Sequence, residues 1–479
     1  MSAGDAIESG LARSERVVAL RETLDATERG SVWIVGGAVR DALGGRPVAD
    51  IDLATELPVA GLAKRLARSL SGTAFELSGE HETWRVSGLE GGTVDIAAFR
   101  GPGIEGDLRL RDFTANAIAV PVAGGDPIDP TEGIDAIRER RLSVCHPAAF
   151  ADDPLRLMRA ARIAAEHGFA PDEELIALAR RGAERAGEPA GERRFAELRA
   201  MLSGPDPVRA LELLDELELT AVVLPALHGL RGVEQSANHH LDVHAHTMEV
   251  LRRWLEVEGE LDLYAGDAAP AVAAALAEPL ADELTRRDGI RFAAILHDIG
   301  KPATRTEQDG LVSFRGHDRV GAEMITELCR ELRTSRRFSS YLAALTRHHL
   351  VLGFMTHELP LSRRRVWEYL SLTGRESLDV TLLTIADRLS AQGSGVPEQA
   401  IQAHLDLARE MIAEAIEIER EGPPEPLLGG AEIAELLGVE GPRIGEAVAE
   451  LRAAQFAGEL DDRDQAVAHL RAWSASTRS

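Results

Sequence analysis

The chain has 479 residues, 28% of them charged and 44% apolar, which predicts two to four domains with enough apolar mass for several cores. Its 53 basic against 79 acidic side chains leave a net charge of −26, which argues against a general nucleic-acid binder while permitting a local arginine surface on phosphate. No run approaches the apolar length of a membrane span, no signal peptide is expected, and two cysteines, Cys145 and Cys329, exclude a disulfide framework and fit a reducing cytoplasm.

The only lysines are Lys64 and Lys301, so the positive charge is almost all arginine, the better bidentate partner for phosphates and bases. Residues 1–28 read as a helical extension. Val32–Val35 reads as a short buried strand, Gly36-Gly37 breaks it, and Ala38 to Asp41 opens a helix. Further strands are predicted at Ile51–Ala54, near Trp84 to Val86, at Thr93–Ala97 and at Asn116–Val120, so this part is α/β. From Asp153 onward the apolar residues recur at helical spacing, and the remainder reads almost entirely as helix. Breaks are predicted near 187–191, 225–236, 265–270 and 422–426.

The first chemical constellation spans residues 35–55, VGGAVRDALGGRPVADIDLAT. A Gly36-Gly37 turn before a helix lets backbone N–H groups approach a triphosphate, and Arg40, one turn along, adds a charged contact. Asp50 and Asp52 stand i, i+2 on a predicted strand, which puts both carboxylates on one face. Two carboxylates so placed call for a counter-charge, and Mg²⁺ completed by triphosphate oxygens is the natural one. Two such ions can activate a hydroxyl and stabilise leaving pyrophosphate. Asp95, in TVDIAAF, is a candidate third carboxylate on a neighbouring strand.

This combination resembles the nucleotidyltransferase superfamily that includes DNA polymerase beta, and more narrowly the bacterial tRNA nucleotidyltransferases (CCA-adding enzymes) and their poly(A) polymerase relatives. The resemblance implies an α+β chain: a small polymerase beta-like head at 29–145, an all-helical neck at 146–230, a helical HD domain at 231–400 and a helical tail at 401–479. Arg111-Asp112-Phe113-Thr114-Ala115-Asn116-Ala117 resembles the motif that contacts ribose, with Arg111, Asp112 and Asn116 as nucleotide-binding candidates. Leu110 stands where the fuller motif has a first arginine, a contact that is absent or supplied by Arg109. Asp129 to Gly133 resembles the hinge between head and neck.

In Asp152-Asp153-Pro154-Leu155-Arg156-Leu157-Met158-Arg159-Ala160-Ala161-Arg162 the arginines recur at i, i+3, i+6, and Asp153 precedes them by one turn. One helical edge is thereby expected to present a carboxylate and guanidinium groups together. In the family an Asp and an Arg of this motif act as an amino-acid template for the incoming base. Asp153 and Arg156 are therefore the expected readers. The carboxylate accepts from the exocyclic amine of cytosine or adenine, and uracil and guanine are refused because they offer a carbonyl there. Arg159 and Arg162 are expected to hold triphosphate or orient that template. The following Glu192 to Leu198 resembles a structural neck motif. One departure stands out: only Gly101–Gly106 separates Phe99-Arg100 from Asp107, where the fuller pattern has a long charged segment that assists the switch from C to A addition. A shortened segment resembles enzymes that add only CC.

The middle of the chain carries His239-His240, Asp242, His244 and His246, then His297-Asp298, His317, His348-His349 and Asp387. This resembles the HD phosphohydrolase domain. Carried over in order, the ligands are His246, with His244 competing, then His297, Asp298 and Asp387; His317 and His349 are candidates for a second metal. Imidazole with carboxylate suits Mn, Fe, Ni, Co or Zn, and a bound hydroxide attacks a phosphoester. The tail, with Gly441-Pro442, touches RNA backbone or simply packs. Arg333, Arg336-Arg337 and Arg363-Arg364-Arg365 are candidate tRNA phosphate contacts.

The resulting expectation is a cytoplasmic, template-independent enzyme that extends tRNA 3′ ends from CTP and ATP with Mg²⁺, releasing pyrophosphate. Its partners are tRNA and those nucleotides, with no membrane and no obligatory protein partner. Alternatives are a CC-adding, A-adding or poly(A) enzyme, a metal phosphohydrolase acting through the HD domain on RNA ends or nucleotides, or a non-catalytic RNA-binding protein.

Overall fold

The computed structural model describes residues 2–78, 82–89, 92–235, 241–391, 393 and 397–476. The chain forms two compact units, Met1–Val223 and Leu224–Ser479. The first opens with helices α1 (Ala3–Leu11), α2 (Glu15–Thr23) and α3 (Ala26–Ser31). Ser2 with Asp5 and Asp25 with Glu28 form capping boxes that start α1 and α3. Then follow β1 (Val32–Val35), α4 (Gly37–Leu43), β2 (Ile51–Thr55), α5 (Val59–Ser69), β3 (Thr73–Ser78), β4 (Thr83–Leu89), β5 (Gly92–Ala98), α6 (Gly103–Arg109) and β6 (Ala119–Pro121).

The six strands make one sheet in the order β3-β4-β5-β2-β1-β6. β2 and β5 run parallel, and the other neighbours are antiparallel. Period-two alternation sorts its residues. Ile51, Leu53, Val94 and Ile96 are buried at 0–1% exposure, so Asp52 and Asp95, which alternate with them, lie together on the opposite face. β3 escaped the sequence pattern because it is an edge strand whose apolar residues Phe75 and Leu77 are exposed. The expected strand at 116–120 is a correction. Thr114–Asn116 is a 3₁₀ turn and the strand begins at Ala119, because the Asn116 side chain is held by Arg40 and Asp112.

The first unit continues with α7 (Gly133–Arg138), a short parallel pair β7 (Arg141–Leu142) and β8 (Ala170–Pro171), α8 (Ala149–Asp152), α9 (Leu155–His167), α10 (Glu173–Gly182), α11 (Gly191–Ser203), α12 (Pro207–Glu216) and α13 (Thr220–Val223). α9 is the central element, packed against α11 and α12. The predicted hinge at 129–133 is a capped turn. The Asp129 carboxylate accepts from the N–H groups of Gly133 and Ile134, both at 2.8 Å. Gly133 is required there, since a Cβ would stand 2.1 Å from the Thr114 carbonyl oxygen.

The second unit is helical: α14 (Pro225–His228), α15 (Val243–Gly259), α16 (Leu261–Ala265), α17 (Ala269–Leu276), α18 (Arg286–Leu296), α19 (Lys301–Thr304), α20 (His317–Glu331), α21 (Arg336–His348), α22 (Val351–Met355), α23 (Arg363–Thr373), α24 (Ser377–Ser390) and α25 (Glu398–Glu421). Two hairpins interrupt the expected all-helical pattern, β9 (Pro279–Ala281) with β10 (Leu284–Thr285) and β11 (Thr306–Gln308) with β12 (Leu311–Ser313). The predicted break at 265–270 is a 3₁₀ turn at Gly266–Ala268 leading into α17. The tail helices α26 (Gly430–Leu437), α27 (Pro442–Phe456) and α28 (Arg463–Ser476) share a core of Leu428, Ile433, Leu451, Ala466 and Leu470. Among the described residues no helix is long and apolar enough to cross a membrane.

Candidate active site and metal centre

The head site is built on the sheet face that carries the aspartates. Asp52 on β2 pairs in register with Asp95 on parallel β5. Asp50 precedes β2 and is exposed; its Oδ1 accepts from the Thr93 N–H at 2.8 Å and the Thr93 hydroxyl at 3.0 Å. Arg85, opposite Asp95 on β4, donates to both carboxylate oxygens at 2.7 Å. Burial pushes the Asp52 carboxyl above the usual range; Arg111 opposes this, and the Asp95 and Asp50 charges reinforce it. A half-buried carboxyl facing two others suits the donor set of a divalent cation. Gly36 closes the site from above. Its φ is +71°, and a Cβ would stand 2.8 Å from Asp52 Oδ2 and 3.4 Å from Arg111 Nη1. The glycine pair is therefore both a left-handed turn and a close approach to the acidic face.

Arg40 does not point freely toward a triphosphate. It is 9% exposed and donates to Asn116 Oδ1 at 2.7 Å and to Asp41 at 3.1 Å. Asn116 donates to Asp112 Oδ1, and Asp112 Oδ2 accepts from Arg159 at 2.8 and 3.0 Å. Burial raises the Asp112 carboxyl, but Arg159, Asn116 and the Phe113 N–H overcome it and hold it well below the carboxylate range. Arg111 donates through Nε and Nη2 to Asp107. Arg109 donates to the Pro130 carbonyl at 2.9 Å rather than to the ribose motif.

The structure does not bring Asp153 and Arg156 together, because α9 begins at Leu155 and Asp153 lies outside it in extended backbone. Asp153 Oδ1 accepts from the Leu155 N–H, and Oδ2 from Arg193 on α11 at 2.9 Å. Arg156 is 7% exposed and donates to the carbonyls of Ala149 and Leu110, both at 3.2 Å. Arg162 pairs with Glu197 at 2.6 Å and Glu166 at 3.0 Å. Arg85, Arg193 and Glu197 are the partners that spacing alone did not reveal. Arg85 was discoverable, since its strand was predicted and an antiparallel neighbour of Asp95 is a natural partner.

In the second unit the predicted HD ligands converge. His246, His297 and Asp387 form one group and Asp298, His317 and His349 another, the ligand atoms of each lying within 4.8 Å of one another. Asp298 belongs to both by geometry: Oδ2 is 3.2 Å from His297 Nε2, and Oδ1 is 3.3 Å from His317 Nε2. His246 Nε2 lies 3.1 Å from Asp387 Oδ1. The Nδ1 atoms of His297, His317 and His349 are held by the carbonyls of Ala294, Phe314 and Thr346 at 2.9, 2.7 and 2.6 Å. Each carbonyl fixes the tautomer that turns an Nε2 lone pair inward, the arrangement a metal-binding imidazole needs. Burial works against the charge on Asp387, yet His246 and the other imidazoles hold its carboxyl well below the usual range. Lys301 Nζ stands 2.6 Å from Asp298 Oδ2 and donates to Gln235 at 2.7 Å. His244 is buried at the start of α15 and is not among the grouped ligands. His239 and His240 lie outside the described residues.

The arginines expected on tRNA phosphate are mostly engaged by carboxylates. Arg337 pairs with Glu376, Arg363 with Glu414, Arg364 with Glu450 and Glu459, and Arg365 with Glu358 and Glu368. They form part of a salt-bridged, partly exposed surface. In an acidic chain the nearest carboxylates claim them first.

Three family models match: the poly A polymerase head domain over 32–103, the probable RNA and SrmB-binding site of polymerase A over 168–230, and the HD domain over 271–392. The chain is 35% identical to the A-adding tRNA nucleotidyltransferase of Deinococcus radiodurans, covering 93% of this chain and 96% of that protein. It is 31% identical to the CC-adding tRNA nucleotidyltransferase of Thermus thermophilus, covering 92% and 93%. Its fold is similar to the Bacillus stearothermophilus CCA-adding enzyme crystallised with CTP, with a TM-score of 0.64, 24% identity and coverage of 97% and 99%. The aspartate pair close to Gly36, the head-domain match and 35% identity over 93% of the chain agree: the chain belongs to the tRNA nucleotidyltransferase family and is an enzyme of that class.

Proposed function

We propose that this enzyme transfers a nucleotide unit from CTP or ATP to a tRNA 3′ end and performs part, not all, of C-C-A addition. The in-register Asp52–Asp95 pair beneath the Gly36 turn supports the chemistry. In this reading the 3′ oxygen bonds to the α-phosphorus, the bond to the β-phosphate breaks, and pyrophosphate leaves. The hydroxyl proton passes to an Asp95 oxygen released from Arg85. Gly36 and Gly37 lay backbone against the triphosphate, and Arg111 Nη1, beside Gly36, offers it a donor. Asp50, Asp52 and Asp95 would hold Mg²⁺, which supplies charge stabilisation at the reacting phosphate. Asp112 and Asn116 bind ribose. Asp153 reads the base, exchanging Arg193 for an exocyclic amine; Arg156 and Arg159 brace the loop and motif around it. Arg40 acts through Asn116, and Arg162 through Glu197.

The short connection after β5 supports a partial reaction. Residues 99–102 lead straight into the seven residues of α6, leaving no long segment to assist a change of nucleotide. The test offers labelled CTP, ATP or both, with Mg²⁺, to tRNAs ending before CCA, in C and in CC. Arrest after CC, or A added only to the CC end, supports the reading; C, C and A in sequence overturns the partial assignment, and no incorporation overturns the whole.

The paired HD groups favour a second activity, hydrolysis of phosphoesters on RNA ends or nucleotides. His246, His297, Asp298 and Asp387, with His317 and His349, would hold two transition-metal ions among Mn, Fe, Ni, Co and Zn. Hydrolysis of bis-p-nitrophenyl phosphate by enzyme loaded with each metal tests this, and silence with all five overturns it.

A further inference from the structure

A basic concavity lies in the first unit at the C-terminal end of α4, the end opposite the Gly36 turn. α4, α7 and α9 end around it, and the start of α1 closes it. Its volume is about 420 Å³, and its lining includes Ser2, Arg40, Arg46, Arg138, Arg140 and His167. That volume falls in the range of small-molecule sites. Among the described residues no carboxylate lines it, in a chain whose carboxylates outnumber its cations.

Arginines near helix C-termini have an ordinary explanation, since guanidinium groups satisfy the last carbonyls. Only Arg46 does this here, donating through Nη1 to the Glu166 carbonyl at 2.7 Å. Arg40 faces Asp41 and Arg138 faces Asp135, an exposed i, i+3 pair. Arg140 is exposed on a turn with φ of +53°, and among the described residues its guanidinium has no hydrogen bond or ion pair. Arg46 lacks a carboxylate partner as well.

His167 supplies an independent observation. Its side chain is 4% exposed and its ring stacks on Phe169. Arg46 Nη1, which can only donate, lies 2.9 Å from His167 Nδ1, so Nδ1 accepts and the ring proton sits on Nε2. Among the described residues Nε2 has no hydrogen-bond partner; the nearest carboxylate oxygen, Glu166 Oε1, is 3.6 Å away. Burial and then the Arg40, Arg46 and Arg162 charges hold this imidazole down to about 3, so it stays neutral. Arg46 and Arg140 bring guanidinium groups without carboxylate partners to this cavity, while Asp41 Oδ1 stands 3.1 Å from Arg40 and 3.7 Å from His167 Nδ1; the surplus of donors suits an oxyanion ligand.

We propose that this cavity binds a phosphate anion carrying more than one phosphoryl group, as free pyrophosphate or as the polyphosphate of a nucleotide. It is distinct from the nucleotidyl site, and Arg40 links the two. The guanidinium that borders the cavity also holds Asn116, and through it Asp112.

Calorimetric titration of the full chain with pyrophosphate in EDTA tests this, because chelation removes the cation that the Asp52 face needs to hold a polyphosphate. We expect about one equivalent bound, and at least tenfold weaker binding in Arg46→Ala/Arg140→Ala. Arg140→Glu, on an exposed turn where folding is unaffected, is expected to weaken binding at least fivefold. Arg111→Ala, which alters the nucleotidyl site, should leave it within twofold. Absence of binding heat, undiminished binding in Arg140→Glu, or its loss in Arg111→Ala overturns the proposal. Inorganic phosphate binding as tightly as pyrophosphate overturns the multiple-phosphoryl assignment. ATP binding tighter than pyrophosphate, and weakened by the same variants, identifies the nucleotide as source; weaker ATP identifies the free anion.

Discussion

Gly36 is where one methyl group separates turn geometry from chemistry. Alanine there meets the left-handed φ, at about 1–2 kcal/mol, and places its Cβ against Asp52. Gly36→Ala is therefore expected to keep the fold and lose at least a hundredfold in nucleotide addition, read by label transfer to tRNA alongside circular dichroism. Asp112 makes a different prediction. Its carboxyl titrates below its unfolded value of about 3.9. The stability it contributes is therefore present above about pH 4 and lost as pH falls through the lower folded value. Asp112→Asn should cost about 1–3 kcal/mol at pH 7, since Arg159 is only part-buried, and should flatten the loss of thermal stability below pH 4. Residue identity was legible in the sequence wherever a motif fixed it, as in Asp52, His297 and Asp298. Pairing was not, because Arg193 and Glu197 lie 40 and 35 residues from the side chains they hold. Asp153 and Arg156 show the limit of spacing: two residues of offset at a helix start moved the carboxylate off the expected edge.

Among elements, strands with buried alternation and the long amphipathic helices were legible, while an edge strand with outward apolar residues and the two short hairpins were not. The tail helices share their own apolar cluster, and Leu451 is fully buried within it. Leu451→Ala should destabilise that cluster by about 2–5 kcal/mol. The expected result is faster amide exchange in α26–α28 with β1–β6 unchanged. Slow exchange persisting through the tail would show that the cluster does not hold those helices.

At the scale of the whole molecule, the nucleotidyltransferase site and the proposed HD metal centre lie in separate compact units. His297→Ala is expected to abolish metal-dependent phosphoester hydrolysis and leave nucleotide addition within twofold, while Asp52→Asn does the reverse. Loss of both functions in either variant would overturn their independence. Arginines are tied into ion pairs across both units, so the surplus carboxylates set the outward field.

Lys301 bears on the stability of the proposed HD metal centre. Its ammonium is buried, bonded to Gln235 and held against Asp298. It is a counter-ion on a covalent leash, which chelators cannot extract. The carboxylates of the HD centre thus keep a covalently tethered partner, and a chelator that removes metal from the proposed centre is expected to leave its helices folded. In Lys301→Met that safeguard is gone, so the same chelator should lower the melting temperature as well as the activity.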